Sequence, residues 1–221
     1  MDQDIAYCEE QNNVPVITDQ EIECGLTPFG QLAKRCFDFT LAGLLMLIFS
    51  PLYLVCYIAV RREDGGPAIF KQERIGRGGR PFHILKFRSM RLDAEKDGPQ
   101  LYTEDDSRLT KVGKFLREHH LDELPQLLNV FRGDMSFIGY RPERQFYIDQ
   151  IMKVDGRYKC LYQIRPGVTS YATLYNGYTD TLDKMVKRLQ YDLYYLQHGS
   201  ALLDLRILWL TFYKIVGGKK I

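Results

Sequence analysis

The sequence predicts a mostly α-helical chain with one small β-hairpin, tied to a membrane near its start by a helix that folds back at Ser50-Pro51. Three observations predict it. Phe39 to Val60 carries no charge over 22 residues, a proline interrupts that run near its middle, and basic pairs flank both of its ends. Three regions follow: an acidic, loosely ordered extension over 1–30, a re-entrant membrane hairpin over 31–62, and a compact cytosol-facing part over 63–221.

The extension contains no Lys or Arg, while Asp2, Asp4, Glu9, Glu10, Asp19, Glu21 and Glu23 are acidic. The net charge of +2 hides this division, because the chain from Lys34 onward is clearly basic. That suits an anionic substrate or an anionic membrane face. The five cysteines show no CxxC pair or ligand-like spacing, so a reducing compartment fits better than a disulfide framework. A preceding stretch that is long and acidic, with no small-residue cleavage site after the run, argues against a signal peptide.

A straight helix over the apolar run would be about 33 Å long, against a hydrocarbon thickness of roughly 30 Å. Lys34-Arg35 and Arg61-Arg62 mark both ends as cytoplasmic. Pro51 removes one backbone donor and clashes with the carbonyl of Leu47, so the helix should break there, with Ser50 placed to satisfy a freed group. Two short arms can then dip into one leaflet and return. A kinked but spanning helix is the competing reading.

Ala68 to Glu73 and Pro81 to Phe87 are aromatic and β-branched, and Gly76-Arg77-Gly78-Gly79 separates them, which is a hairpin signal. The glycines lack the GK[ST] ending of a phosphate loop and read as a turn. Asp93 to Asp106 reads as an exposed loop. Lys111 to Arg117 and Leu124 to Phe131 read as short helices on either side of His119-His120-Leu121-Asp122-Glu123. Met185 to Gln197 and Ala201 to Val216 are helical. The latter, with Trp209, Phe212 and Tyr213, fits an amphipathic helix lying in the membrane interface or an ordinary core helix.

The chemistry centres on Asp122 and Glu123. Pro125 belongs in the first turn of a helix, which puts Asp122 at or near its N-cap, where backbone donors favour the ionised form. Phosphates are drawn to the same place. An ionised Asp can attack phosphorus directly, and a neighbouring Glu pointing elsewhere can hold a hard cation such as Mg²⁺. On local grounds a helix cap is the plainer reading of the pair. Lys86, Arg88, Arg117, Arg141 and Arg165, set beside strand, Pro or Gly positions, suit phosphate binding and bring the catalytic reading forward. His119 and His120 have no partner at ligand spacing and read as structural or peripheral.

The order of segments resembles the bacterial sugar transferase family, the monotopic polyprenol-phosphate phosphoglycosyltransferases. The resemblance rests on Lys34-Arg35-Cys36-Phe37-Asp38, Ser50-Pro51, Phe70-Lys71-Gln72-Glu73-Arg74-Ile75-Gly76 and Lys86-Phe87-Arg88-Ser89-Met90. It continues through Leu109-Thr110-Lys111-Val112-Gly113, Leu121-Asp122-Glu123-Leu124-Pro125-Gln126-Leu127-Leu128-Asn129-Val130 and Arg132-Gly133-Asp134-Met135-Ser136. Arg141-Pro142-Glu143, Arg165-Pro166-Gly167 and Tyr191-Asp192-Leu193-Tyr194-Tyr195 complete it. It covers roughly Lys34 to the C-terminus.

The resemblance implies a helix hairpin broken at Ser50-Pro51 and an active site facing the cytoplasm from the bacterial inner membrane. It implies a Mg²⁺-dependent transfer of sugar-1-phosphate from a UDP-sugar to a polyprenol phosphate, typically undecaprenyl phosphate. Asp122 would carry the sugar phosphate covalently after UMP leaves, and Glu123 would hold the metal. Asp192 matches a further functional carboxylate, and Lys86 and the arginines match phosphate-handling positions. Such a protein would open a glycoconjugate or exopolysaccharide pathway and would have no nucleic-acid partner. The chain departs from the family at Ile138-Gly139-Tyr140, at Val168-Thr169-Ser170-Tyr171-Ala172 and at His119-His120. These departures leave the sugar open, and the oligomeric state is open as well. The rival classes are a membrane-anchored scaffold, whose acidic pair only caps a helix, and a two-carboxylate glycosidase. Adjacent carboxylates are poorly placed for the latter, which needs its pair roughly 5 to 9.5 Å apart across a bond.

Overall fold

A computed structural model describes residues 22–94, 96, 98, 106–176, 179 and 181–217. Most of the acidic extension and most of the 93–106 segment therefore lie outside the described residues. Helix α1, Pro28–Ile48, begins where the Thr27 hydroxyl accepts from the Gly30 N–H, and the start also has a proline, whose missing N–H costs nothing there. Order extends further toward the N-terminus than the composition suggested. Ile22 is buried in the core, Gln163 bonds both the Cys24 N–H and the Ile22 carbonyl, and the Gly25 N–H donates to the Leu196 carbonyl.

Helix α2, Ser50–Asp64, follows after one residue, and the two axes are bent by 65°. Pro51 cannot donate to the Leu47 carbonyl, and the Ser50 hydroxyl donates to it instead at 2.8 Å. The break thus leaves that acceptor satisfied, as the sequence suggested. Among the described residues no single helix is long and apolar enough to cross a membrane, whereas α1 and α2 pass that test as a bent pair. Leu44, Leu47, Ile48, Leu54 and Val55 stand exposed along it.

Strands β1 (Ile69–Ile75) and β2 (Pro81–Phe87) form the expected antiparallel hairpin, in a register that pairs Phe70 with Lys86. A small cluster of Cys56, Val60, Ala68, Phe87 and Leu116 binds α2 to this hairpin and to α3, Lys111–Glu118. After a 3₁₀ turn at Leu121–Glu123 comes α4, Gln126–Arg132.

The main core lies beyond α4 and brings in elements with weak sequence signals. Strands β3 (Ser136–Ile138) and β4 (Gly167–Thr169) pair in parallel. Their backbones approach so closely that a Cβ on Gly139 would lie 2.2 Å from the Arg165 carbonyl oxygen. Helix α5 (Gln145–Val154), a 3₁₀ stretch (Gly156–Gln163), α6 (Tyr171–Tyr175) and α7 (Leu182–His198) pack around them. Ile148, Ile151, Leu161, Leu189, Leu193 and Leu196 fill the interior.

Helix α8, Ala201–Val216, has the expected bounds. Its inner face docks through Ile207 and through Asp204, which accepts from Lys34 and from the Tyr195 hydroxyl, both at 2.5 Å. Its outer face leaves Leu202, Leu205, Trp209 and Phe212 exposed. The inner face is thus that of a core helix, and the outer face is apolar and uncovered.

Candidate active site

Asp122 and Glu123 occupy the 3₁₀ turn that links α3 to α4. The chain enters it through His120, whose φ of +54° makes it the sole non-glycine residue in the left-handed region among those described. Such a residue carries local strain and is held in place by its surroundings. The turn packs against β2. Lys86, on β2, reaches Glu123 with Nζ 2.6 Å from Oε1.

The relative position of strand and turn is set by Asn129, which is almost completely buried. Its Oδ1 accepts from the Leu85 N–H at 3.0 Å, and its Nδ2 donates to the His83 carbonyl at 2.8 Å and to Asp134 at 3.2 Å. One side chain thus stitches the edge of β2 to α4, a single residue before Lys86. Gln126 and Asn129 are polar positions on the inward face of an apolar helix, and that anomaly was the available signal.

The electrostatics correct one expectation. Asp122 does not cap α4: that helix begins behind Pro125 with no side-chain cap bond, and Asp122 lies a turn earlier. Its carboxyl is raised above the usual range because burial dominates, and adjacent Glu123 adds to the rise. Lys86, Arg117 and His120 oppose it. Glu123 behaves in the opposite way. Burial alone would raise it, but Lys86, Arg141 and His120 outweigh burial and hold it down to about 2. Two adjacent carboxylates are therefore pushed apart in proton affinity, because nearby cations outweigh burial at Glu123 and not at Asp122. His120 bears on both and is less peripheral than its spacing implied.

Of the expected cations, Lys86, Arg117 and Arg141 gather here. Arg117 donates from Nε to the Ser89 hydroxyl at 3.0 Å, and its charge acts on Asp122. Arg141 is exposed, and its charge acts on both Glu123 and Asp192. Two do not join them. Arg88 is buried and pairs with Asp64 at the end of α2. Arg165 donates to the Gly133 carbonyl at 2.9 Å, at the far end of α4, among Arg35, Arg77 and Asp38.

Asp192 lies deeper, on α7. It is 3 % exposed, and its Oδ1 has no hydrogen-bond partner. Burial raises its carboxyl to about 7, and Glu143 adds to the rise against the pull of Arg188 and Arg141. Glu143 was quoted in the motif but not singled out as a site residue. It is buried between Arg188 at 2.6 Å and Arg74 at 3.1 Å.

No group of three or more His, Cys, Asp or Glu side chains among the described residues could hold a metal ion unaided. Mg²⁺ does not require one, since it is commonly held by one or two carboxylates together with water and substrate phosphates. Glu123, with a quarter of its side chain exposed beside Asp122, offers an oxygen donor of that kind. The residues present fit such an ion.

A family model described as "Bacterial sugar transferase" matches residues 29–218. The UDP-glucose:undecaprenyl-phosphate glucose-1-phosphate transferase of Escherichia coli K12 is 39% identical over 208 residues, 93% of this chain and 44% of that protein. The UDP-N-acetylgalactosamine-undecaprenyl-phosphate N-acetylgalactosaminephosphotransferase of Aeromonas hydrophila is 38% identical over 87% of this chain and 45% of its own length. A UDP-glucose:undecaprenyl-phosphate glucose-1-phosphate transferase of Caulobacter vibrioides is 42% identical over 81% of this chain and 68% of its own length. The chain thus spans less than half the length of the first two relatives. By the extent of the family match and by these identities, the chain belongs to the bacterial sugar transferase family.

Proposed function

We propose that this chain transfers a sugar-1-phosphate from a UDP-sugar to undecaprenyl phosphate at the cytoplasmic face of the bacterial inner membrane, as an opening step of polysaccharide or glycoconjugate synthesis. The observation that carries the reading is the Lys86-braced turn, in which buried Asp122 and ionised Glu123 stand beside Arg117 and Arg141. The relatives' names supply the substrate classes, and they differ in the sugar, so likeness alone does not choose one.

In the first step an Asp122 carboxylate oxygen attacks the β-phosphorus of the donor. A carboxylate–phosphorus bond forms, the bond from that phosphorus to the bridging oxygen breaks, and UMP leaves with the electron pair. In the second step a phosphate oxygen of the lipid attacks the same phosphorus, and the Asp122 carboxylate departs. Neither attacking group needs a base, since each reacts as an anion. Burial disfavours ionised Asp122, while Lys86 and Arg117 oppose that effect and favour the anion that attacks. Arg117 and Arg141 offer donors to the phosphate oxygens. Glu123 would hold Mg²⁺, which supplies neutralisation of phosphate charge. The bent helices α1 and α2 would lie in one leaflet with both basic ends in the cytoplasm, and the outer face of α8 would rest on the same surface.

The test omits the acceptor. Purified protein with a UDP-sugar should release at most about one UMP per active site and gain the mass of one sugar phosphate at Asp122. Asp122→Asn should do neither. Brisk UMP release by the Asn variant, or product only when both substrates are bound together, would replace the covalent route with direct attack by the lipid phosphate.

A further inference from the structure

Glu143 is a buried carboxylate, held by two arginines, that the reaction scheme leaves without a role. Its side chain is 6 % exposed. Oε1 accepts from Arg188 Nη2 on α7 at 2.6 Å, and Oε2 accepts from Arg74 Nη1 on β1 at 3.1 Å. The backbone repeats the attachment: Arg74 Nη1 also donates to the Pro142 carbonyl at 3.0 Å, and the Ile75 N–H donates to the Glu143 carbonyl at 3.1 Å. Arg74 is held in turn by Gln72 Oε1 at 2.5 Å. A short loop is therefore pinned on one side to the catalytic hairpin and on the other to the helix that carries Asp192.

What this loop presents is Arg141, two residues before Glu143. Arg141 is exposed, and its charge is felt by Glu123 in the catalytic turn and by Asp192 and Glu143 in the interior. Its charge thus bears on both the catalytic turn and the interior. Carrying a buried carboxylate solely to bind two arginines is a poor route to stability, because well-packed apolar residues commonly do as well.

We propose that Glu143 is a positioning residue, which joins Arg74 and Arg188 so that Arg141 is held rigidly over the catalytic turn for the phosphates of the donor. The proposal rests on the reading that Arg141 meets those phosphates. Loss of the Glu143 charge frees both arginines, lets the loop move, and leaves Arg141 to be ordered again at each binding event. Asp192 senses the same change. The groups facing it are Arg188 on its own helix, Glu143 and Arg141 on the loop, and Tyr140 just before them. Glu143 is the carboxylate among these, so its neutralisation lowers the proton affinity of Asp192.

The experiment is a double-mutant cycle on the purified full chain, read as UDP affinity by calorimetry without acceptor and as donor KM and kcat. Glu143→Gln is expected to weaken UDP binding and raise donor KM about tenfold or more, with a smaller change in kcat. Arg141→Lys, which keeps the charge and loses the fork, is expected to cost a similar factor. In the Arg141→Lys background, Glu143→Gln should add less than about twofold, because its effect runs through the guanidinium. Arg74→Gln opens the clamp from the β1 side while leaving the Arg188 pair intact, and it should show the same non-additivity if Glu143→Gln does not fold. Multiplying effects in both cycles would overturn the positioning role while wild-type transfer persists. A wild-type protein that binds no UDP would overturn the donor reading and this role with it.

Discussion

Replacing Lys86 with Met separates the electrostatic account of the site from a purely structural one. Met keeps the length and apolar stem of Lys but removes the cation that lies 2.6 Å from Glu123. Holding Glu123 at about 2 rather than at its ordinary 4.5 corresponds to roughly 3 kcal/mol in favour of its ionised form at neutral pH. Arg141 and His120 supply part of this, and water reaches the quarter-exposed side chain, so Lys86→Met should cost about 2 kcal/mol. In a domain of this size that lowers Tm by roughly 4 to 8 °C, readable by scanning fluorimetry in detergent.

The pH dependence has a definite sign. A carboxyl whose folded pKa is depressed stabilises the fold above its unfolded pKa, and that contribution is lost as pH falls through the folded value. The gap between wild type and Lys86→Met should therefore stay constant from about pH 5 to 8 and narrow below about 4.5. Adding Glu123→Gln to Lys86→Met removes the orphaned charge and should restore most of the lost Tm. It should not restore transfer, which falls roughly a hundredfold or more in either protein once the cation is gone. A double variant as unstable as Lys86→Met, or a gap that widens toward low pH, would refute the account.

The hairpin reading expects cysteines at Phe29 and Arg62, in a background without other cysteines, to be shielded from impermeant reagent in intact cells. Labelling of either from outside would mean a spanning helix. Replacing both Ser50 and Pro51 with Leu should move some molecules to that form, since it restores the backbone bond now replaced by the Ser50 hydroxyl. Asn129→Ala should cost about 2 to 3 kcal/mol, because the buried Leu85 N–H loses its acceptor, and thermal melts should fall by roughly 5 to 10 °C. Wild-type Tm in that variant would mean that β2 is positioned by other contacts. Asp192, raised to about 7 in the fold, stabilises fully below its unfolded pKa, and this is lost as pH rises through about 7. Asp192→Asn should therefore gain Tm relative to wild type between about pH 5 and 8, and an unchanged difference would place the titration elsewhere.

By itself the sequence determined whatever is settled by neighbours along the chain. Pro51 cannot donate to Leu47 in any context, so the break between α1 and α2 and the service of Ser50 were legible. The hairpin of β1 and β2 and the bounds of α8 followed from periodicity and turn residues. The Asp-Glu pair and its cations were visible as residue types in a familiar order. Tertiary structure alone decided how those residues divide. Lys86 and Glu123 are far apart in sequence and meet because buried Asn129 binds β2 to α4. Arg88 and Arg165 read like Lys86 along the chain, yet packing turns one toward Asp64 and the other toward Gly133. The proton affinities of Asp122 and Glu123 move in opposite directions although the residues are adjacent, because burial and long-range cations act through space. The short parallel pair of β3 and β4 is equally non-local: three-residue strands have no period to read, and they form only because Gly139 and Gly167 let two distant backbones touch.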